Sequence, residues 1–454
     1  METKTLCAGY ARTDMTPDYS VPLAGYGNTR QRMSQGWYSR IYATCIAITD
    51  EKDETLLLFT LDQIRCNQEW TDAARERITQ ATGVPGERIM LCATHTHSGP
   101  DIFFEISKEE PYYQLYVQSL VDAAVQAMED RCVCTRALCG RTQVPGLTFV
   151  RHYNMTDGSV VGDNFGSAKG KTFAGHTLPA DEQMQLLKLC RQDKPDVLLV
   201  NWQAHPTLGS TSVTESGQLL RPFLGADYVG YCREYVEKQT QCLFAFFLGA
   251  AGNLNSRSRI QEETPTTDVR KYGKTLGTYT VQALEDLQEI SVGNLKSCRE
   301  IYTGQLDHTE DHLVEQAKQV RKLWAETNDL NLCKLEAEKY GMHSTYHAGA
   351  IINRSKQGAE QSVELNAISL GDFAFVTAPY EMFCNSGKAV KDNSPYPMTF
   401  VCSCANHGAA YIASNEAFEH GCYEVDNRKF VRGTAEKLVD SFLDMLGRVK
   451  NEKS

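Results

Sequence analysis

The sequence predicts an α/β fold of mixed α+β type: one large domain over residues 1–454, with mixed β-sheets flanked by helices. Three observations carry this. Apolar runs of strand length alternate along the chain with segments of helical spacing. No repeat, low-complexity tract or linker cuts the chain in two. Five apolar strands each deliver a polar group at their carboxyl end, where sheets of this kind collect their sites.

Residues 6–12 begin as a strand, and 14–18 turn. Residues 21–27 are punctuated by Gly25 and Gly27, so this backbone is expected to approach another group closely. Residues 41–49 and 55–61 read as a hairpin across a charged turn. Residues 69–81 have helical spacing. Residues 88–92 form a strand that leads into Ala93-Thr94-His95-Thr96-His97-Ser98-Gly99-Pro100. On a strand, His95 and His97 would share one face. They are then placed to hold a divalent metal, or one ligand beside one proton-transfer group. The helix starting at Pro111 carries an apolar stripe from Leu115 to Met128 and is read as core. Residues 149–171 form a Gly- and Asp-rich loop that opens on Arg151, either a substrate-oxygen ligand or a solvated charge.

Residues 184–190 and 197–202 form a strand pair whose second member runs into His205. Residues 225–238 read as a helix. Residues 242–248 are almost wholly apolar, hence a strand buried on both faces, and they empty into a segment containing Asn253 and Asn255. Residues 272–287 read as a helix. Residues 307–342 are the most charged part and keep helical periodicity, which predicts an inserted helical pair on the outside, or a lid, at about 303–345. His308 and His312 have i,i+4 spacing but lack the HExxH pattern, so a solvated face is the better reading. After a strand at 371–377, Pro379 suits the first turn of a helix, which places Glu381 at a helix start. Residues 399–405 are the last buried strand, Tyr411 follows, and 431–446 close the chain as a helix.

The net charge of −11, with both signs mixed throughout, argues against a nucleic-acid partner or an anionic membrane surface. The sixteen cysteines are scattered without a CxxC pair. Most are expected as small buried apolar groups in a reducing compartment. Cys132 with Cys134, and Cys402 with Cys404, are metal half-sites or alternate residues on one strand face. No window approaches the ~20 apolar residues of a membrane span, and residues 1–7 lack a signal region. These features predict a soluble cytoplasmic protein without a transmembrane segment.

The Ala93–Pro100 stretch resembles the signature of the neutral/alkaline ceramidase family, zinc-dependent amidases that cleave the N-acyl bond of ceramide. The likeness extends to Gly9–Pro17, Leu23–Gly27, Asn201-Trp202-Gln203-Ala204-His205-Pro206, Ala378-Pro379-Tyr380-Glu381, the Tyr411 region and Tyr423-Glu424. It covers most of the chain and is weakest at about 300–350. The resemblance implies Zn²⁺ as cofactor, with His95, His205, Glu381 and Tyr411 as ligands. It implies that His97 sits beside the metal to stabilise an oxyanion or shuttle a proton, that Tyr423 contacts the reacting amide, and that Arg151 binds substrate.

One departure matters. Where the family has a serine in G-D-x-S-P-N, this chain has Gly252-Asn253-Leu254-Asn255-Ser256, which aligns Asn255 with the serine. A carboxamide is a poor nucleophile. Either metal-activated water attacks directly with Asn255 orienting it, or Ser256 takes the role, or activity is lost; the first is favoured. The family's larger members also carry a C-terminal immunoglobulin-like domain and a secretion signal. Their absence ranks a soluble amide or ester beside a membrane sphingolipid as substrate. The implied function is zinc-dependent hydrolysis of a small-molecule or lipid-like N-acyl amide. A metal-dependent esterase or deacetylase and a non-catalytic metal- or ligand-binding homologue are the alternatives.

Overall fold

The apolar runs pair into two sheets that share a core. The computed structural model describes residues 6–26, 32–103, 111–213 and 217–451. Gly27 and residues 1–5 of the N-terminal stretch read above lie outside the described residues. Strands β1 (Cys7–Asp14), β2 (Tyr42–Thr49), β3 (Thr55–Leu61), β4 (Ile89–Ala93), β5 (Cys132–Gln143), β6 (Gln183–Arg191), β7 (Val197–Trp202) and β8 (Leu243–Leu248) bond in the order β8-β7-β6-β5-β1-β2-β3-β4. The β3–β4 and β7–β8 pairings are parallel. A second sheet joins β9 (Leu295–Gln305), β10 (Glu360–Leu370), β11 (Phe373–Thr377) and β12 (Met398–Cys402) in that order, with β11 and β12 parallel.

Strand β3 is buried along its whole length, and strand alternation explains why. Leu57, Phe59 and Leu61 face a core shared with Trp70, Tyr116, Leu120, Tyr228 and Leu276. Those residues come from α1 (Gln68–Thr82), α2 (Pro111–Glu129), α3 (Asp227–Thr240) and α4 (Val269–Ala283). Leu56 and Leu58 point the other way, into a core with Phe373, Phe375 and Phe400 of the second sheet. A separate small core around Ala317, Val320, Cys333, Ala337 and Ile351 binds α5 (Val314–Thr327), α6 (Leu330–Glu338) and α7 (Thr345–Arg354). The second sheet's outer face, through Ala374, Val376 and Val401, packs on α8 (Cys384–Asn393) and α9 (Thr434–Asn451). The layers therefore run helices, sheet, sheet, helices.

Several local expectations change. The stretch at 149–171 is not one loop. Short strands His152–Met155, Val160–Gly162 and Phe173–His176 pair there into a small antiparallel sheet. Two helices, α5 and α6, lie within the charged stretch at 307–342, and a third, α7, follows beyond it. His308 is partly exposed and tied to Asp311 and to the Gly358 carbonyl, each at 2.9 Å. No described helix is long and apolar enough to cross a membrane.

Candidate metal centre

Strand ends from both sheets deliver side chains to one point. β4 stops at Ala93, and His95 follows in the left-handed backbone region at φ 70°. His95 and His97 therefore do not share a strand face, as the alternation argument expected. The turn at His95 brings the two rings together instead, Nε2 to Nε2 at 3.4 Å. His205 lies past the end of β7 with its backbone bridged to Asn255, and its ring centroid is 4.6 Å from that of His95. Glu381 is not at a helix start. It sits in a two-residue strand, Glu381–Met382, paired in parallel with Tyr411–Ile412, and α8 begins only at Cys384. Its Oε2 is 3.3 Å from His95 Nε2 and 3.2 Å from His205 Nε2.

The backbone sets the tautomers. Nδ1 of His95 lies 2.5 Å from the Ile64 carbonyl, Nδ1 of His97 lies 3.0 Å from that of Gly25, and Nδ1 of His205 lies 2.8 Å from that of Ala251. A carbonyl only accepts, so each Nδ1 donates and each Nε2 faces inward. His205 Nε2 and Glu381 Oε2 are buried with no hydrogen-bond partner. Burial opposes charge on His95, but Cys404 and Glu381 hold its pKa up at about 10. Burial, with Arg151 nearby, takes His205 down to about 4, and burial with the charge of His95 holds His97 well below the usual imidazole range. Against its own burial, Glu381 is held well below the carboxylate range by His95 and His205. One carboxylate, one proton and two neutral imidazoles converge, a donor set that a divalent cation can satisfy by replacing the proton.

Around this cluster opens a cavity of about 800 Å³ whose lining includes His95, His97, Glu381, Tyr411 and Tyr423. The Tyr411 and Tyr423 rings meet edge to face at 5.9 Å. Burial and the nearby Glu381 push the Tyr411 hydroxyl well above its usual pKa. Arg151 is 5 % exposed, so it is no solvated charge. It donates to Tyr411 Oη at 3.2 Å, to the Gly252 carbonyl at 2.8 Å and to Glu424 Oε1 at 2.5 Å. Asn255 is different. Its carboxamide donates to Asp163 at 2.8 Å and lines a neighbouring cavity with Arg257, Ser258 and Thr264.

Residues 7–245 match the family model described as neutral/alkaline non-lysosomal ceramidase, N-terminal, which is more than half of the chain. The chain belongs to the neutral/alkaline ceramidase family. Two solved structures share the fold. One is the crystal structure of neutral ceramidase from Pseudomonas aeruginosa, with TM-score 0.72 and 16% identity, covering 98% of this chain and 74% of that one. The other is described as ceramidase complexed with C2, with TM-score 0.68 and 16% identity, covering 98% of this chain and 75% of that one.

Within this family member, sequence reasoning passed over several contributors. Glu424 is fully buried and also bonds His152 Nε2 at 2.7 Å, so it anchors both Arg151 and His152 behind Tyr411. Its place directly after Tyr423 was the available signal. Cys404, at 3.5 Å from His95 Nδ1, lies past β12 at φ 55° and shares no strand face with Cys402. The close approach expected of the Gly25 segment is made to His97: a Cβ at Gly25 would lie 2.5 Å from that ring.

Proposed function

We propose that this ceramidase-family protein is a zinc-dependent hydrolase of an N-acyl amide bond, with His95, His205, Glu381 and Tyr411 as the ligands. One observation carries the reading: the inward-facing Nε2 atoms of His95 and His205 stand 3.3 and 3.2 Å from the same Glu381 carboxylate oxygen. With bonds of about 2.0–2.1 Å, tetrahedral zinc ligands stand roughly 3.3–3.4 Å from one another. Bound zinc would supply Lewis acidity, polarising the scissile carbonyl and lowering the pKa of water from about 15.7 to roughly 7.

The chain's own residues supply the rest. His97, neutral and lining the cavity, takes the proton of the attacking water and returns it to the leaving amine. Tyr423 offers its hydroxyl to the reacting amide. Arg151, fixed by Glu424, holds the Tyr411 phenol in place and adds positive charge where the oxyanion develops. Asn255 serves through its backbone pairing with His205. No side-chain nucleophile is required, so water attacks directly. The substrate is a small-molecule or lipid-like N-acyl compound. The whole chain acts as one catalytic unit carrying the helical insert. The cytoplasm is favoured by the largely buried cysteines.

Metal analysis combined with turnover of matched N-hexanoyl amide and O-hexanoyl ester substrates tests this. Stoichiometric zinc and amide cleavage lost on chelation and restored by zinc support it. Turnover of the ester alone would make the protein an esterase, and zinc without turnover would make it a binding protein.

A further inference from the structure

In this acidic protein, several buried and half-buried arginines sit on carboxylates. Arg75 meets Glu364 at 2.9 Å, Arg233 meets Asp62 at 2.8 Å and Arg428 meets Asp307 at 2.5 Å. Arg65 and Lys429 are half-buried cations of another kind, and both line the cavity that holds His95 and Glu381. Among the described residues neither meets a carboxylate. Arg65 Nε is buried with no hydrogen-bond partner, and its guanidinium lies over the Phe103 ring at 4.0 Å. Burial lowers the pKa of Lys429 and the charge of Arg65 lowers it further, so the two cations feel each other. His407 lies beside both, and its Nδ1 is buried and unpartnered.

The wall is built tightly. A Cβ on Gly408 would lie 3.1 Å from Arg65 Cδ and 3.2 Å from the Phe103 ring, so this glycine lets the backbone press both side chains into place. The insert adds Arg321 to the same cavity, stacked on Trp324 at 4.3 Å and also without a carboxylate among the described residues. Among the described residues, the carboxylates lining the cavity are Glu381, engaged with the imidazoles, and Asp101, whose Oδ1 accepts the Phe103 backbone N–H at 3.0 Å. Desolvated like charges are costly unless a counter-charge completes them. A neutral amide has no use for them.

We propose that the cavity takes an anionic substrate, an N-acyl compound carrying a carboxylate or phosphate, and that Arg65 and Lys429 bind that anion. This deepens the hydrolase reading and rests on it for cleavage, while the binding half stands on Arg65 and Lys429 themselves. Arg65 presents a planar fork to the anion, and Lys429 presents a point charge. Phe103 and Gly408 are the positioning elements that hold Arg65.

The test uses the zinc-loaded full chain with N-hexanoylglycine, N-hexanoyl-phosphoethanolamine and neutral N-hexanoylethanolamine, following kcat/KM and, by calorimetry, binding. One anionic probe is expected to exceed the neutral one by about 10-fold or more in kcat/KM, chiefly through KM, and to weaken with salt. Which of the two leads identifies carboxylate or phosphate. In Arg65→Gln/Lys429→Gln that preference should collapse, while Arg65→Lys should restore part of it. Equal or better cleavage of the neutral amide by the wild type, or a preference that survives the double substitution, overturns the anion site and leaves the hydrolase standing. If no probe is cleaved yet N-hexanoylglycine or N-hexanoyl-phosphoethanolamine still binds in an Arg65-dependent way, the hydrolase reading fails and the anion site stands.

Discussion

Asn255 donates its carboxamide to Asp163 at 2.8 Å while its backbone is bridged to that of His205. Its side chain is therefore already engaged, and its contact with the histidine cluster runs through main chain. Asn255→Ala is expected to slow amide turnover by less than about 10-fold, whereas His97→Ala, which removes the proposed proton carrier, should cost about 10²–10⁴-fold. The kcat values of the two variants decide this. Equal losses would put the Asn255 side chain back among the reacting groups.

Gly25 makes a second prediction at the other side of His97. Its φ is +100°, and an added Cβ would lie 2.5 Å from Nδ1 of the ring. Gly25→Ala should displace the imidazole and lower kcat by about 10²-fold, the scale of a lost acid–base group. Zinc content should stay intact, since His97 is assigned as a neighbour of the metal. Loss of zinc together with activity would make His97 a ligand.

How much of this was legible in the sequence depended on whether the signal was local. The strand that leads to His95 and the strand that leads to His205 announce themselves as apolar runs, because both faces of each are covered. The glycine at position 25 announced a close approach, though not to what. The Leu295–Gln305 and Glu360–Leu370 strands were not visible. The first is largely half-exposed, of sequence LKSCREIYTGQ, and is a strand because its partner pairs with it along its full length. Arg151 and Glu424 stand 273 residues apart. No window of sequence reveals that pairing, so an arginine at the mouth of a polar segment reads as solvated when it is in fact buried.

That long-range pair carries its own expectation. Glu424 is held well below the carboxylate range, against its burial, by Arg151 and His152. Glu424→Gln leaves the buried Arg151 without its counter-charge. Breaking such a pair from one side costs about 3–5 kcal/mol. Urea unfolding of the zinc-loaded protein should show a loss of that size, together with weaker zinc retention as Tyr411 loosens. A loss below about 1 kcal/mol, the scale of a surface ion pair, would show that Arg151 finds water or another partner.

The helical insert is fastened by a carboxylate whose titration can be followed. Glu310 bonds His347 Nε2 at 2.9 Å and pairs with Arg354 and Arg428. Burial raises its pKa, but His347, Arg428 and Arg354 outweigh burial and bring it from 4.5 to about 2. A carboxyl whose folded pKa is depressed stabilises the fold fully above its unfolded value. That contribution drains away as pH falls toward the folded value, because the unfolded chain binds the proton first. The window is therefore pH 4.5 down to about 2, and at about 1.4 kcal/mol per pKa unit the full contribution is roughly 3 kcal/mol. Glu310→Gln should be less stable than the wild type by an amount of that order at pH 7, and the gap should close as the pH is lowered through the window. Urea unfolding at pH 7, 5 and 3 measures the gap. A gap that stays constant across those values would mean that the insert is held by packing around Ala317 and Ile351 rather than by this charge.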